Sequence, residues 1–166
     1  MMDDITREKI LKNLAKNARL SSKDLAAMLE ASPEEIKEAI AELENSGVIC
    51  GYPTLINWDK TGDERVTAVI EVKTAPERGR GFDKIAARIY QFDEVKDVYL
   101  MSGNFDFTVI IDGSSMKEVA RFVTSKLAPM ESVVSCATYF VLKKYKEHGI
   151  PLEKVRDTDE RQLITP

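Results

Sequence analysis

Residues 21–47 read SSKDLAAMLEASPEEIKEAIAELENSG, and this stretch contains two helix start signals in close succession. Ser21 is followed three residues later by Asp24, and Ser32-Pro33 is followed by Glu35. A serine before a helix and an acidic residue at its third position form a capping box, and proline is favoured in the first turn. Apolar residues then recur every three or four positions, as on the buried face of a helix. The stretch therefore predicts two consecutive helices.

The predicted connection between these helices is only three residues long, residues 30–32. A connection that short forces the helices to cross sharply, as they do in a helix-turn-helix. Upstream, apolar residues at helical spacing over residues 10–18 predict another helix. Downstream, Gly47 ends the last helix, and we expect two short extended pieces around Gly51 and Pro53 to form a small wing.

Beyond a predicted hinge at Gly62-Asp63-Glu64 the pattern changes to the two-residue alternation of β-strands. Four strands and two helices follow in the order βαββαβ, which is the ferredoxin-like arrangement. Right-handed crossovers place both helices on one face of a four-stranded antiparallel sheet. The strands are predicted at residues 66–73, 95–101, 105–112 and 133–142, with helices over residues 82–89 and 115–127.

The sequence thus predicts an α+β protein with two domains and a tail. We expect a winged helix-turn-helix domain over residues 1–60 and a ferredoxin-like domain over residues 61–146, followed by a charged C-terminal tail over residues 147–166. The chain turns charged from Lys143 onward, and we expect low order in that part of the chain.

The predicted sheet has a second face that the two helices do not cover. Its side chains are partly apolar, and in water they would form a large apolar patch. We therefore expect residues 65–142 to form a homodimer or a larger oligomer through this face. The apolar side chains in question are Tyr99, Met101, Ile110, Tyr139 and Val141.

The charge of the chain argues against a nucleic-acid partner. The net charge is −4, and residues 1–60 hold 8 Lys and Arg against 11 Asp and Glu, which is a net charge of −3. Nucleic-acid binders usually have a basic face, because phosphate neutralisation supplies much of their affinity. An argument for DNA binding therefore depends on the pattern of residues.

Composition also argues against several kinds of site and location. Cys50 and Cys136 have no CxxC spacing, and we expect both to be reduced thiols. His148 is the only histidine, so we expect no metal site and no cofactor, and no nucleophile–base pair marks a catalytic site. No apolar run is long enough to span a membrane, and the N-terminus lacks the pattern of a signal peptide. We therefore expect a cytoplasmic protein.

Several short motifs occur in a fixed order along the chain. Asn17-Ala18-Arg19-Leu20-Ser21 leads into the second predicted helix, and Ser32-Pro33 opens the third. Leu43-Glu44 is followed by Gly47-Val48-Ile49 with Gly51-Tyr52, and Gly103 precedes Asp106 between two predicted strands. In this order and spacing the chain resembles the Lrp/AsnC regulators, also called leucine-responsive or feast/famine regulators, along nearly its whole length.

The resemblance implies a transcriptional regulator with two binding partners. It implies binding of double-stranded DNA through the winged helix-turn-helix, and of an amino acid or a related small metabolite through the second domain, called the RAM domain. It also implies dimers formed through the sheet, which often assemble into octamers. The positions that match DNA contacts are Ser21, Ser22, Lys23, Ser32, Glu34, Glu35, Lys37 and Glu38.

The third helix departs from the family pattern. Typical members carry arginines and small hydroxyl residues there, whereas residues 33–46 contain five glutamates and one lysine. Glutamate can accept a hydrogen bond from cytosine N4, but it cannot pair with phosphate. One reading is a regulator whose weak DNA contacts are supplemented by other cations or by several headpieces acting together. The other is an effector-binding, oligomer-modulating protein that has lost DNA binding.

The resemblance places the effector at the turn between the two central strands. Backbone groups of the turn would bind the ligand, the Asp106 carboxylate would pair with its ammonium group, and a hydroxyl group on the last strand would donate or accept a hydrogen bond. The alternative is that Gly103-Asn104 only makes a turn that requires positive φ, with Asp106 as an exposed edge charge. The candidate effector-binding residues are Met101, Ser102, Gly103, Asn104, Asp106 and Thr138.

Three further features have competing interpretations. Arg78-Gly79-Arg80-Gly81 precedes a predicted helix whose N-terminus can bind an anion, or it is a solvated loop. Tyr52 and Trp58 are candidates for stacking, or they pack where the wing meets the linker. Siroheme decarboxylases are similar to this regulator family in both domains, but their chemistry is associated with histidine and arginine in the ligand domain. His148 lies beyond the last predicted strand, so we expect a protein that is not an enzyme.

Overall fold

The structure is a computed structural model that describes residues 3–63, 65–75 and 81–153. The chain folds into two compact units, the first ending at Thr54 and the second beginning at Leu55. None of the described helices is long and apolar enough to cross a membrane.

The first unit consists of three helices, α1 (Asp4–Lys16), α2 (Ser22–Leu29) and α3 (Pro33–Asn45). Both predicted capping boxes are present, at the starts of α2 and α3. Glu30 ends α2 in the left-handed conformation, with φ of 54°, so the chain reverses within three residues. The predicted helix-turn-helix is confirmed. Its core consists of Ile10, Leu14, Leu25, Ala26, Ile36, Ala39 and Leu43.

The segment after α3 differs from the expected wing, because residues 50–57 are neither helix nor strand. The amides of Val48 and Ile49 donate to the carbonyl of Leu43, at 2.9 and 3.0 Å, so this part of the chain closes the helix. Pro53 has no N–H to donate to a strand ladder. A two-stranded ladder of a few residues also contributes little stability on its own.

The second unit contains a four-stranded antiparallel sheet, in which the strands, counted along the chain, lie side by side in the order second, third, first and fourth. A short 3-10 turn over Trp58–Lys60 precedes the sheet. The predicted βαββαβ succession is confirmed. Its elements are β1 (Val66–Thr74), α4 (Gly81–Ile89), β2 (Val95–Leu100), β3 (Phe107–Gly113), α5 (Met116–Phe122, continued by a π-helical turn over Val123–Leu127) and β4 (Val133–Phe140).

One face of this sheet is covered by the helices. Ile70 of β1 lies opposite Val109 of β3 and Thr138 of β4, so these three side chains point to the same face. Large apolar side chains there are fully buried, and each such residue stabilises the fold by about 1.5–3 kcal/mol relative to exposure. The core consists of Ala68, Ile70, Val72, Ile85, Ile89, Phe107, Val109, Ile111, Val119, Phe122 and Leu127.

The open face of the sheet carries both apolar and polar side chains. Tyr99 and Tyr139 are half exposed, at 50% and 54%. Tyr99 lies opposite Thr108, and the hydroxyl of Tyr139 donates to Glu71 at 3.3 Å. The face is therefore mixed, because these polar contacts lie beside an apolar row in which Val69 is paired with Ile110 and with Tyr139.

The expectation of low order from Lys143 onward is wrong for the described residues up to 153. Residues 146–147 (β5) and residues 150–151 (β6) form a small antiparallel hairpin. His148 and Gly149 make its turn, with φ of 47° and 79°. Two consecutive residues with positive φ are typical of a type I′ turn, whose twist matches that of paired strands.

The hairpin is anchored to the beginning of the second unit. The side-chain amide of Asn57 donates to the carbonyl of Leu152 at 3.0 Å. The amide of Leu152 in turn donates to the carbonyl of Tyr145 at 2.9 Å, and Lys143 forms an ion pair with Glu153 at 2.9 Å. These contacts explain why a charged segment folds here, since its backbone and its charges both find partners.

Candidate functional site

The hydroxyl groups at the starts of α2 and α3 are already engaged within the chain. The Ser21 hydroxyl donates to the carboxylate of Asp24 at 2.6 Å, and the Asp24 amide donates back at 3.2 Å. The amide and hydroxyl of Ser32 donate to Glu35 at 3.0 and 2.9 Å. Two of the candidate DNA-contact serines and one candidate glutamate are therefore parts of helix caps. Ser22 is half-buried, and Lys23 is exposed.

The cap of α3 also fixes the charge state of Glu35. The Ser32 amide and hydroxyl hydrogen-bond its ionised carboxylate and hold the pKa of Glu35 below its usual value of 4.5. A carboxyl group with a lowered pKa in the folded state stabilises the fold above its usual pKa. This contribution is therefore complete at neutral pH and is lost as the pH falls through the lowered pKa.

The five glutamates of α3 divide into two groups. Three have partners within the first unit: Glu35 binds Ser32, Glu42 forms an ion pair with Arg7, and Glu44 accepts a hydrogen bond from the Tyr52 hydroxyl at 2.8 Å. Glu34 and Glu38 are exposed, as is Lys37, and the described residues give none of the three an ion-pair partner. All five glutamates are exposed, and three of them also make contacts within the first unit.

A cleft of about 420 Å³ lies beside α3 and is strongly acidic. The start of α1 and the α2–α3 turn form its other walls. Negative side chains that line one cleft repel phosphate, so this flank of α3 is unsuited to the DNA backbone. Its charged lining residues are Asp3, Glu30, Glu35, Glu38 and Glu42.

The connection between β2 and β3 forms the second candidate site. Met101, Ser102, Gly103 and Asn104 are all exposed. The amide of Met101 donates to the carbonyl of Asp106 at 2.8 Å and closes the loop. The structure therefore brings five of the six predicted effector-binding residues into one exposed loop.

The carboxylate of Asp106 is held in place by the end of β1. The amide and the hydroxyl of Thr74 both donate to Oδ2 of Asp106, at 2.7 and 3.1 Å. The Asp106 amide donates to the carbonyl of Val72 at 3.0 Å. The alternative of an exposed edge charge is wrong, because Asp106 is half-buried and makes three hydrogen bonds to β1.

Gly103 has no conformational requirement for glycine. Neither Gly103 nor Asn104 has positive φ, so the alternative explanation of this pair as a turn that requires positive φ is wrong. A Cβ atom added to Gly103 would meet nothing within 4 Å. Within the described chain, neither the backbone nor the local space explains a glycine at this position.

Thr138 does not join this loop. It lies between Cys136 and Phe140 on β4, with its side chain on the helix-covered face. Strand β1 separates β4 from β3, and two strand spacings amount to about 10 Å. One small ligand at the loop therefore cannot contact Asp106 and Thr138 of the same chain.

The other predicted features are the arginine-glycine segment and the two candidate stacking residues. Arg78, Gly79 and Arg80 are outside the described residues, and Gly81 is the first residue of α4. The guanidinium group of Arg65 stacks on the ring of Trp58, 3.6 Å from its centroid. This contact supports a packing role for Trp58, and the hydrogen bond from Tyr52 to Glu44 supports one for Tyr52.

Thr74, the last residue of β1, contacts the loop of residues 101–106 (the effector loop) and was not among the predicted site residues. It lies 32 positions from Asp106, and no local motif links the two. Only the register of β1 against β3 brings them together.

Each of the two units matches the profile of a known domain family. The profile of the Lrp/AsnC ligand binding domain matches residues 67–151, and a winged helix-turn-helix DNA-binding profile matches residues 3–49. An HTH-type transcriptional regulator of Bacillus subtilis (strain 168), YugG, is 48% identical over 158 residues, which cover 95% of each chain. The leucine-responsive regulatory protein of Haemophilus influenzae is 28% identical over 139 residues, which cover 84% of this chain and 83% of that protein.

Solved structures have the same fold over nearly the whole chain. A transcriptional regulator of Neisseria meningitidis in complex with L-methionine matches with a TM-score of 0.68 and 24% identity, covering 89% of this chain and 94% of that one. AsnC of E. coli matches with a TM-score of 0.65 and 22% identity, covering 89% and 96%. The ligand-binding profile spans more than half of the 166 residues, and together with the Bacillus relative it establishes that the chain belongs to the Lrp/AsnC family of HTH-type transcriptional regulators.

Proposed function

We propose that this chain binds an operator in its own upstream region and that an amino acid, or a related small metabolite, bound at the loop of residues 101–106 changes its DNA affinity. The observation that carries the proposal is the pairing of Asp106 with Thr74 next to Gly103. The carboxylate is oriented, and the neighbouring glycine leaves room for a ligand to approach the backbone. An ammonium group and a carboxylate group on one small molecule would find an acceptor and backbone donors there.

The L-methionine complex of the Neisseria relative supports an amino acid as the class of effector. Exposed apolar side chains next to the loop agree with this class, since Leu100 is 57% exposed and Met101 is 42% exposed. An apolar amino-acid side chain would bury some of that surface. We therefore propose L-methionine as the first compound to test, followed by the other common amino acids.

DNA contact is proposed for the exposed side of α3 and the start of α2. Lys23, Lys37 and Glu34 are exposed there, whereas the serine caps keep both helices in place. Lys23 and Lys37 can neutralise phosphates, and Glu34 can accept from cytosine N4. The limited positive charge predicts weak binding by each headpiece.

The proposed function is tested by fluorescence anisotropy on the upstream region of the chain's own gene, with and without each of the twenty amino acids. We expect sequence-specific binding by the full-length protein, and a shift in the dissociation constant with at least one amino acid. Scrambled DNA of the same length is the control. Equal affinity for both DNAs at low salt would reject the DNA-binding half, and twenty unchanged titrations would reject the effector half.

A variant in which Glu34 and Glu38 are neutral distinguishes two hypotheses: that α3 reads DNA, and that the chain is an effector module without DNA binding. If α3 faces DNA, the double variant E34Q/E38Q removes repulsion of phosphate and should tighten binding several-fold at low salt, with a smaller gain as salt screens the charges. The matched control is E42Q, because Glu42 is paired with Arg7. E34Q/E38Q titrations that match the wild type at every salt concentration would favour the effector module.

We also propose that the chain acts without catalysis. The only histidine, His148, lies in the turn of the C-terminal hairpin, away from the effector loop. Among the residues that the structure describes, no group of three potential metal ligands is clustered. A protein that only binds DNA and an effector needs neither a catalytic histidine nor a cluster of metal ligands.

For its assembly we propose a homodimer, with an octamer as the larger form, built through the open face of the sheet. Tyr99 and Tyr139 support this proposal, because tyrosine is enriched at protein interfaces and both rings are half exposed here. Thr138 lies on the opposite, helix-covered face, so a dimer built through the open face leaves this side chain outside the interface.

A further inference from the structure

Thr74 is the only polar or charged residue in the described chain that is buried, at 8% exposure. Burying a hydroxyl group is costly unless it is hydrogen-bonded. Both of its donors, the amide and the hydroxyl, bind the same oxygen of Asp106. The burial of Thr74 is therefore compensated by one acidic side chain from the loop between β2 and β3.

The end of the strand ladder explains this arrangement. β3 begins only at Phe107, which pairs with Val72, so pairing with β3 has ended where Thr74 follows, although Thr74 still pairs with Val133 of β4. The register of β1 against β4 also shifts between Lys73 and Thr74. The side chain of Asp106 supplies the acceptor that a longer β3 would have supplied from its backbone.

The consequence for the carboxylate is an unequal use of its two oxygens. Oδ2 accepts both hydrogen bonds from Thr74, whereas Oδ1 has no hydrogen-bond partner among the described residues. A carboxylate has about four lone-pair sites. One oxygen thus orients the group, and the other is uncommitted.

We propose that Thr74 is a positioning residue, which holds Asp106 so that Oδ1 accepts the ammonium group of an effector. This inference rests on the proposed function of the loop. The site then selects for an amino group, so that an amino acid binds more tightly than the 2-hydroxy acid of the same shape. A hydroxyl group in place of the ammonium group forms a neutral and weaker hydrogen bond with the oriented carboxylate.

Three variants test whether Thr74 positions Asp106 for the ligand or only supports the fold. T74V removes the hydroxyl donor and keeps both the shape and the amide. T74S restores the donor. The matched control is T67V, at the other end of the same strand, where the Thr67 hydroxyl donates to Asp112 at 2.7 Å. T67V removes the same kind of bond from the same strand far from the loop.

The experiment measures binding to the full-length protein by calorimetry, first with the twenty amino acids and then with the tightest of them against its 2-hydroxy acid. The readout is the ratio of the two dissociation constants. We expect T74V to lower the preference for the amino acid about threefold to tenfold, which is less than the loss of the charge-assisted bond itself, because the Thr74 amide still donates to Asp106. T74S and T67V should retain the wild-type ratio.

The outcomes distinguish the inference from the proposed function. If no amino acid binds the wild type, the effector half of the proposed function fails, and the role of Thr74 fails with it. If the wild type prefers the amino acid and T74V keeps the same ratio, only the role of Thr74 is rejected. A purely structural role is indicated if T74V weakens both ligands equally, or if T67V changes the ratio as much as T74V.

Discussion

A fragment of residues 1–60 is expected to bind the operator roughly 10²- to 10⁴-fold more weakly than the full-length protein, because assembly converts the second DNA contact into an intramolecular one. The fragment contains all of α1, α2 and α3 with their own buried core. It lacks the sheet through which we expect the headpieces to be joined. The exposed side of α3 presents Lys37 beside Glu34 and Glu38, so one headpiece neutralises few phosphates.

The measurement is an anisotropy titration of both proteins at the same salt concentration. Circular dichroism of the fragment shows whether its helices are intact. Fusing the fragment to a dimerising coiled coil should restore much of the lost affinity, which a misfolded fragment would not do. Light scattering of the full-length protein should show a dimer or larger at micromolar concentration. A full-length monomer, or a fragment that binds as tightly as the whole chain, would contradict this prediction.

The variant D106N is expected to weaken amino-acid binding by tenfold to more than a hundredfold, while the fold stays nearly as stable as in the wild type. A lost hydrogen bond to a charged group in a site costs on the order of 1.5–3 kcal/mol, which corresponds to that range of affinities. The amide oxygen of asparagine can still accept from both donors of Thr74, so the attachment of the loop to β1 is kept. Only the negative charge that pairs with an ammonium group is lost.

Two controls accompany D106N. D112N makes the same change near the far end of β3, where the carboxylate accepts from Thr67, and it should leave the affinity unchanged. D106A removes both the charge and the acceptor, so it should weaken binding and also lower the free energy of unfolding in urea. If D106N binds the amino acid as the wild type does, Asp106 has no ammonium partner and its role is confined to Thr74.

Local signals predicted the elements of this fold. Ser21 with Asp24, and Ser32 with Glu35, specify helix starts through contacts three residues apart, and both capping boxes are present. The alternation of Val66 to Lys73 predicted a strand for the same reason, because the period of two is local. The turn of the C-terminal hairpin had a comparable signal in His148-Gly149, which the high charge of the surrounding residues obscured.

Contacts between residues far apart in the sequence could not be predicted from such local patterns. The pairs Thr74–Asp106 and Arg7–Glu42 are 32 and 35 positions apart and depend on strand register and helix packing. The sequence alone did not show which glutamates of α3 have partners, since the partner of Glu42 lies on another helix. Thr138 matched a family motif, but the strand order places it away from the loop within one chain.

The division of the α3 glutamates has a consequence for how this sequence can diverge. Glu35, Glu42 and Glu44 are constrained by the stability of the headpiece, whichever operator it recognises, because each has a partner inside the first unit. Glu34 and Glu38 carry no such constraint among the described contacts. We therefore expect relatives with different operators to vary at positions 34, 37 and 38, and to retain an acidic residue at position 35 wherever position 32 is serine. Evolution of operator choice can then proceed on the exposed side of α3 without loss of the fold.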